Sequence, residues 1–302
     1  MSVTAYALLP ALARFDAVDG FRQRLVRADA LPAGPANELA VGACFRWPDQ
    51  SLPVAALIRE HVMHDAGDHA WLCADLAHVQ PDMTGVRMLA CGNLDLSRDE
   101  AEALAQPLRP VFGDRGLLLE TTLPARWHVH APASSPWPVF DPPSAVLGDD
   151  LVDHLPAGDA GRGWRQLLNE TQILLHQHPL NQARRQRGLP TINSLWLWGA
   201  GSLPAWIKSD VQQVYGDDLP MTALATRASV MVRPLTDLSG RESLSTDVLL
   251  DLRRSADAQA CRDLLLGLLD DRRIDTLVLH FAGGERWRLQ RGQRWRFWRR
   301  AQ

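Results

Sequence analysis

The residues best placed to do chemistry lie in one stretch, residues 176–201, which reads HQHPLNQARRQRGLPTINSLWLWGAG. Two asparagines, Asn181 and Asn193, supply neutral donors, and Arg184, Arg185 and Arg187 supply fixed positive charge. Gly199 and Gly201 follow a strand-like run at once, where backbone must turn or approach something closely. Amides and guanidinium forks around a strand end are a means of holding anions. The expected site is an anion-sized pocket made by Asn181, Arg184, Asn193, Trp198, Gly199 and Gly201, suited to a small phosphorylated or carboxylated metabolite. A buried strand closed by a glycine turn also accounts for Trp196, Trp198 and the glycines. Arg184 fits that packing role less readily, because arginine is rarely buried without an anionic partner.

Other groupings carry less. His61, His64, His69 and His78 fall within one short region, but no thiolate or carboxylate stands at matching spacing, so solvated histidines are favoured over a metal site. No GxSxG elbow marks a serine nucleophile. Cys44, Cys73, Cys91 and Cys261 include no CxxC pair, which fits a reducing cytoplasm better than a disulfide framework or a zinc site. The ending ERWRLQRGQRWRFWRR alternates arginine with apolar residues, as a hairpin does when one face packs, so Trp287, Trp295 and Trp298 are expected to be buried. Arginine with tryptophan also suits nucleic acid, a reading that the net charge of -3 disfavours.

The elements that must position these residues follow from periodicity. A helix over 163–176, with Trp164, Leu167, Leu168, Thr171, Leu174 and Leu175 inward, runs into the opening stretch, and Gly188 is placed to stop the helical turns after Pro179. Upstream, 5–13 reads as a strand ending at Pro10, 15–30 as a helix, 52–62 as a helix, and 70–73 and 86–90 as strands. Residues 96–109 read as a helix with a capping box at Ser97 and Glu100, and 117–120 and 127–130 as a further strand pair. The Pro-rich run APASSPWPVFDPP is the clearest internal boundary. Downstream, 203–215 is expected as a surface helix, 230–235 and 245–252 as strands, 256–271 as a helix, and 276–281, 286–290 and 294–298 as closing strands. The 302 residues, 46% hydrophobic and 22% charged, suffice for one large or two modest domains, with no apolar run long enough to span a membrane and no signal pattern.

The string DHAWLCADLAHVQPDMTGVRML, the capped helix with EALAQPLRPVFGDRGLLLE, and HPLNQARRQRGLPTINSLWLWGAG resemble, in order and spacing, the archaeal type of cofactor-independent phosphoglycerate mutase. LLNETQILLHQHPLN together with the terminal RWRFWRR is similar to the bacterial regulatory proteins of the pathogenicity-factor cluster, E type. The resemblance implies an α/β fold, a reduced alkaline-phosphatase-like core in residues 1–66 and 201–302 with an α+β insert in 67–200. In such mutases a serine is phosphorylated and two metals are held by Asp and His. Here ALLPALA offers no aspartate, no serine or threonine lies between Thr4 and Ser51, and TLVLHFAGG keeps His280 without a following aspartate. Where the family pattern has an arginine and an asparagine, this chain has Leu72 and Ala74, and Arg126 and Trp127 stand out of step. The expectation is a cytoplasmic, non-catalytic regulator without a cofactor, binding a small metabolite or a protein partner; the rival is an active metal-dependent phosphatase or mutase with relocated residues.

Overall fold

The computed structural model describes residues 2–49, 51–83, 85–135, 137–239 and 243–296. The first half of the chain runs β1 (Thr4–Leu9), α1 (Phe21–Arg27), β2 (Asp29–Leu31), β3 (Phe45–Arg46), α2 (Val54–Met63), β4 (His69–Pro81), β5 (Val86–Cys91), α3 (Arg98–Ala105), α4 (Arg109–Gly113), β6 (Leu118–Leu123) and β7 (Arg126–Pro132). The second half runs α5 (Pro143–Val146), α6 (Gly158–Gln177), α7 (Pro179–Gln186), β8 (Ser194–Ser202), β9 (Lys208–Ser209), β10 (Gln213–Tyr215), α8 (Leu219–Arg227), β11 (Met231–Arg233), β12 (Val248–Asp251), α9 (Ala258–Asp270), β13 (Thr276–Phe281) and β14 (Arg286–Gln290). These form two compact units, one from residues 1–48 and 205–302, the other from 49–204.

The first unit is an α/β fold around a seven-stranded sheet of order β11-β10-β12-β1-β13-β14-β2. Its first five strands are parallel, with Leu8 of β1 in register with Asp251 of β12 on one side and His280 of β13 on the other. Alternation along β1 sends Ala5, Ala7 and Leu9 into a core with Phe15, Phe21, Leu265, Leu269 and Phe281. The short alanines let the phenylalanines meet, Phe15 lying 4.9 Å from Phe21 and 5.5 Å from Phe281 between ring centres.

The second unit is α+β. Its long central strand, β4, pairs antiparallel with β7 on residues 69–75, with β8 on residues 70–77 and with β5 on residues 77–81, and β6 extends the sheet beyond β7. Helix α2 lies on β4 and β8 and belongs to this unit, which spans Asp49–Pro204. The approach is close enough to dictate glycine in β8. A Cβ on Gly199 would stand 3.0 Å from Val54 Cβ, one on Gly201 would stand 2.7 Å from Pro53 Cβ, and both residues have positive φ. They fall where the β4–β8 register shifts between Trp71 and Cys73, so a bulge carries the strand past the start of the helix.

Several expectations hold and several do not. Ser97 caps α3 with both bonds of the capping box, Ser97 Oγ accepting from Glu100 N at 3.1 Å and Glu100 Oε2 from Ser97 N at 2.9 Å. Residues 203–215 are not a surface helix: Ile207, Val211, Val214 and Tyr215 mimic helical spacing, but Val214 and Tyr215 are drawn into the parallel sheet between β11 and β12. The span 15–30 is broken by Gly20, whose φ of 70° sets the start of α1, and β2 takes its end. At the C-terminus β13 and β14 pair as expected, but β14 already has β2 on its other edge, so no edge is left for a third hairpin strand. Residues Arg291–Trp295 form a 3-10 turn instead; Trp295 is 59% exposed, correcting the expectation of burial, while Trp287 packs edge-on at 5.5 Å against Phe281 and Trp298 lies outside the described residues.

The bulge generates a test. Gly199→Ala places a Cβ in the left-handed region and against Val54, and is expected to lower unfolding free energy by about 1–3 kcal/mol, read from urea denaturation. An unchanged midpoint contradicts the close approach of α2.

Candidate functional site

The stretch expected to hold an anion is built as a clip. Helix α6 ends at His178, Pro179 opens α7, and α7 stops at Gly188, whose φ is 69°. Leu189 N donates to Arg184 O and Gly188 N to Arg185 O, the paired bonds of a Schellman end. Asn181, fully buried, donates Nδ2 to Leu175 O (2.6 Å) and Ile192 O (2.7 Å) and accepts from Ile192 N (2.7 Å). Arg184, 1% exposed, donates Nε to Pro190 O (2.8 Å) and Nη1 to Asp95 O (2.7 Å). Burial lowers the pKa of that guanidinium, an effect that Glu100 nearby partly offsets. Asn193 brackets Val79, accepting from its N–H (2.9 Å) and donating to its C=O (2.8 Å).

Backbone groups, not an open pocket, therefore take these polar atoms. Trp198, Gly199 and Gly201 lie toward the other end of β8. Eight residue steps separate Asn193 from Gly201, roughly 25 Å at strand rise, so the six residues do not converge on one small ligand. The argument that a buried arginine needs an anion fails here because two carbonyl oxygens satisfy it.

The polar side chains that do converge lie on β4 and β7. Register pairs Trp71 with His130, Cys73 with His128 and Asp75 with Arg126. Asp75, with no exposed surface, receives Arg126 Nε (2.7 Å) and Nη2 (2.8 Å), and Trp198 Nε1 donates to the same carboxylate at 3.0 Å. Next along the strands His128 Nδ1 meets Thr122 Oγ1 at 2.8 Å and Nε2 stands 4.0 Å from Cys73 Sγ. Burial pushes His128 down to about 3 and the Cys73 thiol well up, so this pair is a neutral thiol and imidazole and not an activated nucleophile. Arg59 closes the row, its guanidinium 4.7 Å over the Trp71 ring and bonded to Thr122, Glu120 and Asp65. Sequence reasoning missed this row; its signal was alternation of polar residues in WLCAD and RWHVH.

The four grouped histidines scatter. His61 lies in the last turn of α2, which His64 ends with φ 57°, while His69 stacks edge-on with His130 and His78 bonds Thr191 O. At the C-terminal ends of the parallel strands, where α/β folds hold ligands, Leu8 stands between Asp251 and His280. Arg253 grips both oxygens of Asp251, at 2.8 and 2.6 Å. His280 Nε2 meets Pro35 O at 2.8 Å, and burial lowers its pKa. Among the described residues no three His, Cys, Asp or Glu side chains are grouped to hold a metal. The donor set does not fit the two metals that the mutase resemblance implies.

No protein-family model matches the chain. The 2,3-bisphosphoglycerate-independent phosphoglycerate mutase of Methanothrix thermoacetophila is 35% identical over 78 residues, 26% of this chain and 19% of that protein. A probable mutase of the same kind from Geobacter sulfurreducens is 36% identical over 63 residues, 21% of this chain and 16% of that protein. The chain is thus related over part of its length to these mutases, and its match spans less than a fifth of the relatives' length. Of solved structures, a Pyrococcus horikoshii protein has a TM-score of 0.45 at 13% identity, covering 96% of this chain and 87% of that one. The cofactor-independent phosphoglycerate mutase of Thermoplasma acidophilum has a TM-score of 0.40 at 14% identity, covering 97% and 90%.

Two measurements check the site. Asn181→Ala removes the partners of Ile192 O and Ile192 N and one of the two donors to Leu175 O, so about 2–4 kcal/mol of stability is lost; a variant as stable as the parent refutes the clip. For His128 the folded pKa is depressed, so its contribution is full above about 6.5 and is lost as pH falls toward 3, with a slope of about 1.4 kcal/mol per pH unit. His128→Gln is expected to flatten the fall in melting temperature between neutral and acid pH; an identical slope contradicts burial of the neutral ring.

Proposed function

We propose that the chain is a non-catalytic regulatory relative of the cofactor-independent phosphoglycerate mutases, working by binding and not by turnover. The observation that carries this reading is the register at the end of the parallel sheet. Leu8 occupies the first-strand position between Asp251 and His280, and those two flanking groups are engaged by Arg253 and by Pro35. A phosphoryl-transfer site needs a nucleophile and cations to neutralise charge, and this edge offers an aliphatic side chain, an ion-paired carboxylate and a carbonyl-bonded imidazole.

An alkaline-phosphatase-like ancestry belongs to the same proposal: the parallel sheet of one unit is interrupted in sequence by the α+β unit of residues 49–204. The resemblance to the pathogenicity-factor regulators extends it to a role in virulence-factor expression from the cytoplasm, through a small phosphorylated or carboxylated metabolite or a protein partner. No described helix is long and apolar enough to cross a membrane.

The test is an activity assay of the purified chain with manganese and with 2- and 3-phosphoglycerate. Interconversion and phosphate release are expected to stay at the level of a protein-free blank. Turnover that follows the protein through purification overturns the reading and favours a phosphatase or mutase with relocated residues.

A further inference from the structure

We infer that the second unit binds a small oxyanion, a phosphate or carboxylate group on a metabolite, in a cleft between α2, α3, α4 and β6. The cleft measures about 250 Å³ and is lined by three cations, Arg59, Arg98 and Arg109, and one carboxylate, Glu120, with Thr121 and Thr122 at its wall. That volume is below the roughly 300–1,000 Å³ of sites that enclose drug-sized ligands, so a small metabolite is the matching size. None of the six residues expected from the sequence lines it.

Three guanidiniums around one cleft repel each other unless anions lie between them, and the protein's own carboxylates do this only in part. Arg109 is held by Glu102, and Arg59 by Asp65 and Glu120. These acids are 52%, 48% and 39% exposed, whereas the Arg59 side chain is 5% exposed. Only the Arg109–Glu102 pair is exposed on both sides, so Glu102 gives way readily, whereas the buried Arg59 keeps its carboxylates. Arg59 cannot leave, because it lies over Trp71 and is bonded to Thr122. Glu120 bridges two groups, Oε1 standing 2.9 Å from His130 Nε2 and Oε2 2.7 Å from Arg59 Nη1. Arg98, exposed on the first turn of α3, forms no ion pair among the described residues and lines the cleft. The chemistry that fits is a planar or tetrahedral oxyanion taking bidentate bonds from Arg98 and replacing the exposed Glu102 on Arg109.

This deepens the binding role proposed above and fails separately from it, since turnover says nothing about Arg98 and loss of this cleft says nothing about turnover. Melting temperature is followed with inorganic phosphate, glycerol 3-phosphate and malonate at constant ionic strength, sodium chloride being the control. At least one oxyanion is expected to raise it; phosphate compounds or malonate alone then tell which group the cleft prefers. Arg98→Ala is expected to melt like the parent without ligand and to bind that probe roughly 10- to 100-fold more weakly. Arg109→Gln gives a second reading should Arg98→Ala fail to fold. No shift with any probe, or an equal shift in both variants, overturns the site.

Discussion

The buried carboxylate of Asp75 is the constraint on which the second unit depends. An ionised group without access to water costs several kcal/mol unless it is paired and fully hydrogen-bonded. Arg126 supplies two bonds from β7 and Trp198 supplies a third from β8, so strands 51 and 123 residues away must flank β4 in this register. A slip of one residue in either strand would turn its donor to the opposite face and strand the charge. Gly92 completes the arrangement: with φ 70° it passes where a Cβ would stand 3.0 Å from Asp75 Oδ2. The ion pair therefore contributes register more than net stability, as buried pairs do when set against well-packed apolar alternatives.

The same requirement, that buried polar groups find partners, explains why the asparagines and Arg184 do not form a pocket. A loop between two helices and a strand leaves orphan carbonyls and N–H groups, each costing about 1–3 kcal/mol if buried unpaired. Asn181 answers both main-chain groups of Ile192 and adds a second bond to Leu175 O, which His178 N also reaches, and Arg184 answers two more. Asn193 continues the ladder past the irregularity at His78 and Val79, giving Val79 the bonds a neighbouring strand would give. Polar residues at strand and helix ends thus have two physical uses, toward ligand or toward backbone, and spacing alone does not distinguish them.

Legibility in the sequence tracked the range of the interaction. The capping box at Ser97, the left-handed stop at Gly188 and the β13–β14 hairpin rest on contacts a few residues apart, and each was readable. The strands β9 and β10 were not, because Ile207, Val211 and Val214 carry a helical period that is outweighed by pairing to β3 and β12, which local spacing does not reveal. The third closing strand failed for a related reason: β2, some 260 residues earlier, already holds the edge of β14. Asp75, Arg126 and His128 were visible only as a period-two pattern, whose meaning appears once β4 and β7 lie side by side.

Stability and chemistry bear on different residues here, and this bears on what a partial likeness to the mutases conveys. The stretch 176–201 contains groups whose loss would unpair buried backbone or drive α2 off β8, through Asn181, Arg184, Gly199 and Gly201. Any chain keeping this arrangement of α6, α7 and β8 is held to similar residues there, with or without turnover. The parallel-sheet edge is under no such constraint. Leu8 needs no hydrogen bond there, and Asp251 finds Arg253 two residues away on its own segment. The clip by itself therefore carries information about fold and not about catalysis.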